Sequence, residues 1–169
     1  MKLKLVRLTE KYRPQLEEMM TEWTASGERI IPAAIQRHDF RDFDNYMAEL
    51  ELNEERDGLV PATTLFCLDE DRDIFVGAVD IRHYLNEGLL FAGGHIGDGV
   101  RPSERSRGIG TQMVALALDE AKKLGIDRVL MVCDKDNIPS RRTIEKNGGV
   151  LENEVDDNGV PVLRYWITR

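Results

Sequence analysis

Three arginines and two glycines crowd into one short segment of this chain, Arg101–Gly110, which reads Arg-Pro-Ser-Glu-Arg-Ser-Arg-Gly-Ile-Gly. Glycines allow bare backbone N–H groups to surround a ligand, and the positive end of a following helix attracts an anion. Arg105 and Arg107 add charge-assisted hydrogen bonds. The segment lacks both the Gly-Lys-Ser/Thr of a Walker loop and the pattern Gly-x-Gly-x-x-Gly. It therefore predicts a pyrophosphate site of another kind.

An anion site of this kind needs a strand before the loop and a helix after it. Residues 95–100 read as extended chain, and apolar residues then recur at helical spacing up to Gly125, a natural helix stop. A second strand, 128–134, precedes a short helix that Asn137 caps and Gly148 ends. Ligands gather at the carboxyl ends of the strands in such a βαβ unit. We therefore expect the ends of both strands to face one crevice.

The remaining elements surround this unit without any repeat or linker. Glycines at 93, 94, 97 and 99 favour a bulged fourth strand whose backbone is closely approached by another chain segment or by a ligand. The hydrophobic periodicity and the turn residues predict strands at 2–8, 63–68, 74–84, 150–155 and 162–168, helices at 9–24 and 39–56, and loops at 27–37 and 86–92.

The pattern Val-x-Pro-x-x-Arg-x-x-Gly-x-Gly, which begins at Val100, resembles the coenzyme A loop of the GNAT superfamily of N-acetyltransferases. The segment from Asn137 to Gly148 is similar to the helix that follows in the same superfamily. Arg82-His-Tyr-Leu together with Gly93-Gly-His-Ile-Gly resembles a bacterial GNAT subgroup known mostly from sequence. The resemblance implies an α/β GNAT acyl-CoA N-acyltransferase fold: one domain, 1–169, with a mixed central sheet of about seven strands flanked by helices.

The resemblance also implies an activity, the direct transfer of an acetyl group from acetyl-CoA to a primary amine of a small molecule or peptide. The fourth strand would pair with the pantetheine arm and hold the thioester oxygen, which gains negative charge in the transition state. A homodimer is a further expectation, because dimers are common in this superfamily. The cofactor-binding residues implied are Asp98, Gly99, Val100, Arg105, Ser106, Arg107, Gly108, Ile109, Gly110, Thr111, Asn137 and Ser140.

The chain departs from the family pattern at Ile144. The pattern often places a tyrosine seven residues after the asparagine, where it protonates the departing thiolate, and isoleucine can donate no proton. A thiolate is a tolerable leaving group, so the loss of this acid need not abolish turnover. The departure nevertheless keeps a second hypothesis open, a non-catalytic protein that binds or senses acyl-CoA.

Two residues before the loop are candidates for the base that deprotonates the amine. His95 titrates in the useful range and Asp98 lies nearer to the expected thioester. The alternative for His95 is a strand histidine that fixes the neighbouring turn, and for Asp98 a solvated carboxylate at the strand end. Between the two bases the sequence favours His95, because an aspartate is too weak a base unless it is buried.

Composition narrows the partners and the compartment. A chain of 169 residues that is 41 % hydrophobic and 32 % charged is typical of a globular protein, and a net charge of −8 argues against nucleic-acid or membrane partners. No apolar run reaches the ~20 residues of a membrane span, and the N-terminus lacks a signal peptide, so we expect a cytoplasmic protein. Cys67 and Cys133 lie in apolar strands without companion histidines, which predicts reduced core thiols and no metal site.

The acceptor side should come from residues 9–62 and 86–92. Residues 39–57 carry eight acidic side chains against Arg41 and Arg56. Such a rim would concentrate a cationic amine. The alternative, which we favour, is the solvated face of a helix.

Overall fold

The computed structural model describes all residues, 1–169, as seven strands and five α-helices. The strands are β1 (Leu3–Val6), β2 (Ala62–Asp69), β3 (Ile74–Arg82), β4 (Ile96–Val100), β5 (Arg128–Asp134), β6 (Val150–Asp157) and β7 (Val160–Thr168). The helices are α1 (Arg13–Ala25), α2 (Phe43–Glu49), α3 (Glu87–Ala92), α4 (Ile109–Lys123) and α5 (Ile138–Lys146). None of these helices is both long enough and apolar enough to cross a membrane.

The strands form two antiparallel sheets, in the orders β1-β2-β3-β4 and β5-β7-β6. The predicted α/β fold with about seven strands and flanking helices is confirmed, and the structure adds that the sheet is divided. The division falls between β4 and β5, which are joined only by two hydrogen bonds between His95, the residue before β4, and Leu130 of β5. The two strands that the sequence places on either side of the crevice therefore form its walls.

Both faces of the first sheet are buried. In β2, Leu65 and Cys67 belong to a core that includes α4, whereas Phe66 and Leu68 belong to a core that includes α1 and α2. Successive side chains of a strand point to opposite faces, so one strand contributes to two cores. Such burial on both sides explains the continuous apolar run of β2, and it fixes the sheet between the helices that carry the site.

Glycine and asparagine mark the ends of the helices beside the crevice. Gly108 precedes α4 with a φ of +78°, and Gly125 follows it with a φ of +85°. Both values lie in the left-handed region that glycine tolerates best. Asn137 caps α5, because its side-chain oxygen accepts a hydrogen bond from the Ser140 amide at 3.3 Å. The predicted bounds of these two helices are confirmed.

Three local predictions were wrong. The helix predicted over 39–56 is confined to Phe43–Glu49, because Leu52 turns away to form an isolated β-bridge with Ala62. The loop predicted over 86–92 contains α3, which Asn86 caps. The register of β4 with β3 is unbroken, so the fourth strand has no bulge.

Candidate functional site

One edge of β4 is unpaired along most of its length. The Arg82 amide donates to the His95 carbonyl at 2.7 Å, and the Arg101 amide donates to the Val76 carbonyl at 2.8 Å. Odd-numbered residues of β4 therefore bond to β3, and the N–H and C=O groups of Asp98 point to the opposite edge. No strand pairs with that edge beyond its first residues, so an extended ligand could bond to it.

His95 forms the junction at which the two strands meet. Its backbone amide donates to the Leu130 carbonyl at 2.8 Å, and its ring Nδ1 accepts a hydrogen bond from the Leu130 amide at 2.9 Å. The side chain is buried, and burial lowers the pKa of His95, with the nearby Arg82 cation acting in the same direction. The imidazole is therefore neutral, and the nitrogen that would accept a proton already has a partner.

Asp98 differs from His95 in its hydrogen bonding and in the direction of its pKa shift. It is partly buried, and its carboxylate takes part in no hydrogen bond or salt bridge within the protein. Burial raises the pKa of Asp98 to about 6, against the opposing effect of the Arg82 cation. A carboxylate with such a pKa is a competent base near neutral pH. The burial that the sequence could not show removes the objection that aspartate is too weak a base.

The glycines of β4 permit close packing on the other face of the strand. A Cβ on Gly99 would lie 1.8 Å from the Ile31 carbonyl oxygen, and one on Gly97 would lie 3.1 Å from a terminal nitrogen of Arg82. A Cβ on Gly94 would lie 2.6 Å from the Leu130 carbonyl oxygen. The predicted close backbone approach is confirmed: the protein's own segment before Pro32 approaches Gly99, and β5 approaches Gly94, which precedes β4.

The loop before α4 presents a row of unused hydrogen-bond donors. None of the six consecutive amide N–H groups from Ser106 to Thr111 donates to another group of the protein. Ser106 has a φ of +63° and Gly108 one of +78°, a combination that curls successive amides toward one point. Together with the positive end of the α4 dipole, these groups form a concave site for an anion such as a pyrophosphate.

The two arginines of this loop have protein partners. Arg105 binds the Glu28 carboxylate through both terminal nitrogens, at 2.7 and 2.9 Å, and its Nε donates to the Val100 carbonyl at 3.2 Å. Arg107 donates to Glu104 at 2.7 Å. Arginine binds phosphate in the same bidentate way as carboxylate, so these contacts can be exchanged for a phosphate ligand. The backbone amides are therefore the permanent part of the anion site.

Two charged residues that the sequence analysis did not select connect the segment 101–107 to other parts of the fold. Arg101 is buried and reaches Glu18 and Glu22 of α1 at 3.0 and 2.8 Å. Glu104 is buried and accepts hydrogen bonds from Arg72 that hold its pKa below the usual range. The signal was a single Glu among three Arg within 101–107, but the partners of Arg101 and Glu104 lie far away in the sequence.

Asn137 and Ser140 lie at the start of α5, where the side-chain oxygen of Asn137 accepts the capping hydrogen bond from the Ser140 amide. Ile144 is fully buried in the core that includes α4. The Asn147 side chain donates to the Thr111 carbonyl at 3.2 Å and holds α5 against the first turn of α4. The structure thus brings α5 to the anion site, and Ile144 packs without offering a proton donor.

A family comparison decides the identity of this arrangement. The model of the acetyltransferase (GNAT) domain matches residues 2–150. The chain belongs to the GNAT acetyltransferase family. No curated protein matches the chain.

Solved structures support the same fold for this GNAT chain. The microcin C7 self-immunity acetyltransferase MccE, in complex with acetyl-CoA and AMP, superimposes with a TM-score of 0.68 at 18 % identity, covering 99 % of this chain and 93 % of that one. A spermidine N-acetyltransferase SpeG chimera from Vibrio cholerae and hSSAT gives 0.67 at 15 %, covering 99 % and 96 %. RimL, a ribosomal L7/L12 α-N-protein acetyltransferase in complex with coenzyme A, gives 0.64 at 18 %, covering 98 % and 93 %.

The structure gathers Asp98, the segment 105–111 and the start of α5 around the gap between β4 and β5. It places His95 at the closed end of that gap. No group of three or more His, Cys, Asp or Glu side chains is arranged to hold a metal ion.

Proposed function

We propose that this GNAT chain transfers the acetyl group of acetyl-CoA to a primary amine of a small molecule or peptide. The row of six unbonded amides from Ser106 to Thr111, beside the unpaired edge of β4, carries this proposal. A ligand that fits both features needs a pyrophosphate joined to an extended chain with amide groups of its own. Coenzyme A has both parts.

Within this assignment the chain's residues divide the binding between them. The amides of segment 106–111 would hold the pyrophosphate, and the N–H and C=O groups of Asp98 would pair with the pantetheine arm as a neighbouring strand does. Arg105 would exchange Glu28 for phosphate and release the Val100 carbonyl. Asn137 and Ser140 would border the cofactor from the start of α5.

We assign proton removal to Asp98. Its carboxylate would accept a proton from the ammonium form of the amine, and the nitrogen lone pair freed in this way attacks the thioester carbonyl carbon. A C–N bond forms while the carbonyl π electrons move to oxygen, and the nitrogen then loses its second proton to water. Collapse of the oxyanion breaks the C–S bond, and the thiolate of CoA leaves with that electron pair. An amide N–H of β4 would stabilise the developing oxyanion. Ile144 has no proton to give, so the thiolate takes one from water.

Release of free CoA thiol from acetyl-CoA in the presence of a panel of amines tests the proposal. Amine-dependent thiol release, together with an N-acetylated product of the expected mass, would support it. Tight binding of acetyl-CoA in calorimetry without any turnover would instead support the non-catalytic acyl-CoA-binding protein, which the buried Ile144 keeps as a second candidate. The cytoplasmic location and the homodimer stay predictions.

A further inference from the structure

A small pocket lies at one end of β2 and β3, on the face of the sheet that is turned toward α1 and α2. Its volume is about 260 Å³, and its walls come from segment 58–62, the end of β3 and the start of α3. This volume is below the roughly 300 Å³ at which drug-sized ligand pockets begin, so its occupant must be small. Four polar side chains line it: Arg37, Asp80, Arg82 and Asn86.

The hydrogen bonds of these side chains engage the Asp80 carboxylate and the Asn86 amide and leave cationic donors of Arg37 and Arg82 unused. Asp80 is buried, accepts a hydrogen bond from the Thr64 hydroxyl at 3.1 Å and lies 3.3 Å from the Arg82 Nε. Asn86 caps α3 with its oxygen and donates its amide to the Gly58 carbonyl at 3.1 Å. Arg37 is exposed and forms no hydrogen bond or salt bridge with the protein.

Arg82 connects this pocket with the proposed reaction centre. One of its terminal nitrogens donates to the Gly93 and Gly94 carbonyls, both at 3.3 Å, and the other forms no hydrogen bond within the protein. That second nitrogen lies against Gly97, the residue before Asp98, at the place where any other residue would carry a side chain. A ligand bound to Arg82 would therefore lie next to the middle of β4.

We propose that this pocket binds the carboxylate of the acceptor through Arg37 and Arg82, and that the acceptor is a small amine with its own carboxylate, as in an amino acid. The pocket has two cations against one satisfied carboxylate, in a chain whose net charge is −8. None of the eight acidic residues of segment 39–57 lines it. The local charge thus favours an anionic group over a polyamine. The proposal rests on the acetyltransferase function proposed above.

Matched acceptors test this directly. Leucine and isopentylamine, and alanine and ethylamine, differ only by the carboxylate, and thiol release gives kcat/KM for each. The amine groups within a pair differ in basicity, so kcat/KM values within a pair are not compared directly. Instead, the ratio of kcat/KM for the amino acid to kcat/KM for the amine is measured in the wild type and in Arg37→Gln, and the two ratios are compared. We expect this substitution to lower the ratio at least tenfold. Arg41→Gln, an exposed arginine bound to Asp39 outside this pocket, should leave it unchanged.

Calorimetry of leucine with the CoA-loaded protein separates this inference from the proposed function. Turnover of amines with a ratio that Arg37→Gln leaves unchanged would overturn the inference and keep the acetyltransferase. Leucine binding that weakens at least tenfold in Arg37→Gln, without acetyl transfer, would support the site and overturn the proposed function. Neither binding nor turnover would overturn both.

A second inference rests on the junction between β4 and β5. The His95 amide donates to the Leu130 carbonyl, and the His95 ring accepts a hydrogen bond from the Leu130 amide. The His95 carbonyl accepts a hydrogen bond from the backbone amide of Arg82. A ladder between the strands would need a backbone carbonyl to accept the Leu130 amide, and here the imidazole takes that place. No further hydrogen bond joins β4 to β5. We infer that His95 is a positioning residue that fixes the point from which the cofactor cleft opens.

Three substitutions distinguish this role from that of a base. His95→Asn puts an accepting oxygen where Nδ1 lies, His95→Gln moves it one bond farther out, and His95→Ala removes it. We expect asparagine to keep CoA affinity, kcat and hydrogen-exchange protection of the Leu130 amide within about threefold, because only the acceptor matters. Alanine should lose at least tenfold in affinity and protection, with glutamine in between.

The opposite pattern would overturn the inference. If His95→Asn binds CoA normally and protects Leu130 but loses kcat as fully as His95→Ala, the imidazole itself moves a proton. If all three variants bind CoA as the wild type does, the junction does not set the cleft.

Discussion

Replacing Asp98 by asparagine should stabilise the protein and slow its reaction at the same time. The pKa of Asp98 rises from its ordinary 3.8 to about 6 because the carboxyl group is buried. A shift of one unit corresponds to roughly 1.36 kcal/mol, so the ionised carboxylate costs the folded state about 3 kcal/mol at most. Asparagine has nearly the same shape and no charge, and it avoids most of this cost.

The sign of the pH dependence follows from the same shift. The unfolded chain loses the Asp98 proton near pH 4, whereas the folded chain keeps it up to about pH 6. Between these values the folded state binds more protons, so the free energy of unfolding of the wild type falls as the pH rises. The stability difference between Asp98→Asn and wild type should therefore be small at pH 4, grow up to about pH 6 and stay constant above.

Thermal unfolding measures the first effect. In a protein of this length 1 kcal/mol shifts Tm by roughly 2–4 °C, so we expect a rise of at most about 12 °C at pH 7. Thiol release measures the second: kcat should fall about 10²- to 10⁴-fold, the usual contribution of a general base. The wild-type rate should rise with pH through an inflection near 6.

Asp127→Asn is the matched control, because Asp127 is exposed and should change neither Tm nor rate. A variant at Asp98 that melts below the wild type at pH 7 would show that the carboxylate makes favourable contacts in the fold. A loss of rate of less than threefold would assign proton removal to water or to the amine itself. Either result refutes the role given to Asp98.

Three further substitutions test the cofactor loop and its support. Gly108→Val forces a β-branched residue into a φ of +78°, so CoA affinity in calorimetry should fall at least tenfold; wild-type affinity would remove the loop from the site. Glu28→Gln frees Arg105 from its carboxylate partner, so CoA should bind several-fold more tightly; unchanged or weaker binding would show that the ion pair does not compete with phosphate. Ile144→Ala leaves a cavity in the core and should cost about 2–4 kcal/mol in chemical denaturation with little loss of CoA affinity; wild-type stability would contradict the burial of this residue.

The elements with strong local signals could be predicted from the sequence. The helix at Ile109–Lys123 has a clear apolar face and a glycine at each end, and β5 is a short apolar run of predicted length. Asn137 as a cap and the row of amides at 106–111 also follow from residue type and spacing. These features depend on neighbours in the chain, so local physics is sufficient.

Features that depend on distant contacts could not be predicted. The helix at Phe43–Glu49 ends early because Leu52 pairs with Ala62, which no local pattern shows. Arg105 is bound by Glu28, 77 residues earlier, and the imidazole of His95 by the Leu130 amide, 35 residues later. The choice between His95 and Asp98 as the base depends on burial and on hydrogen-bond partners. The sequence favoured His95, whereas the geometry favours Asp98.

The two cysteines of the folded protein should be unreactive toward thiol reagents, which simplifies the assay of CoA release. Both are buried, and burial raises the pKa of Cys67 to about 12 and that of Cys133 to about 11. Because only the thiolate reacts with colorimetric disulfide reagents, the native chain should not consume such a dye. The dye can then stay in the cuvette during turnover and report CoA alone. With no substrate present, two equivalents of colour per chain would instead count the molecules that have unfolded.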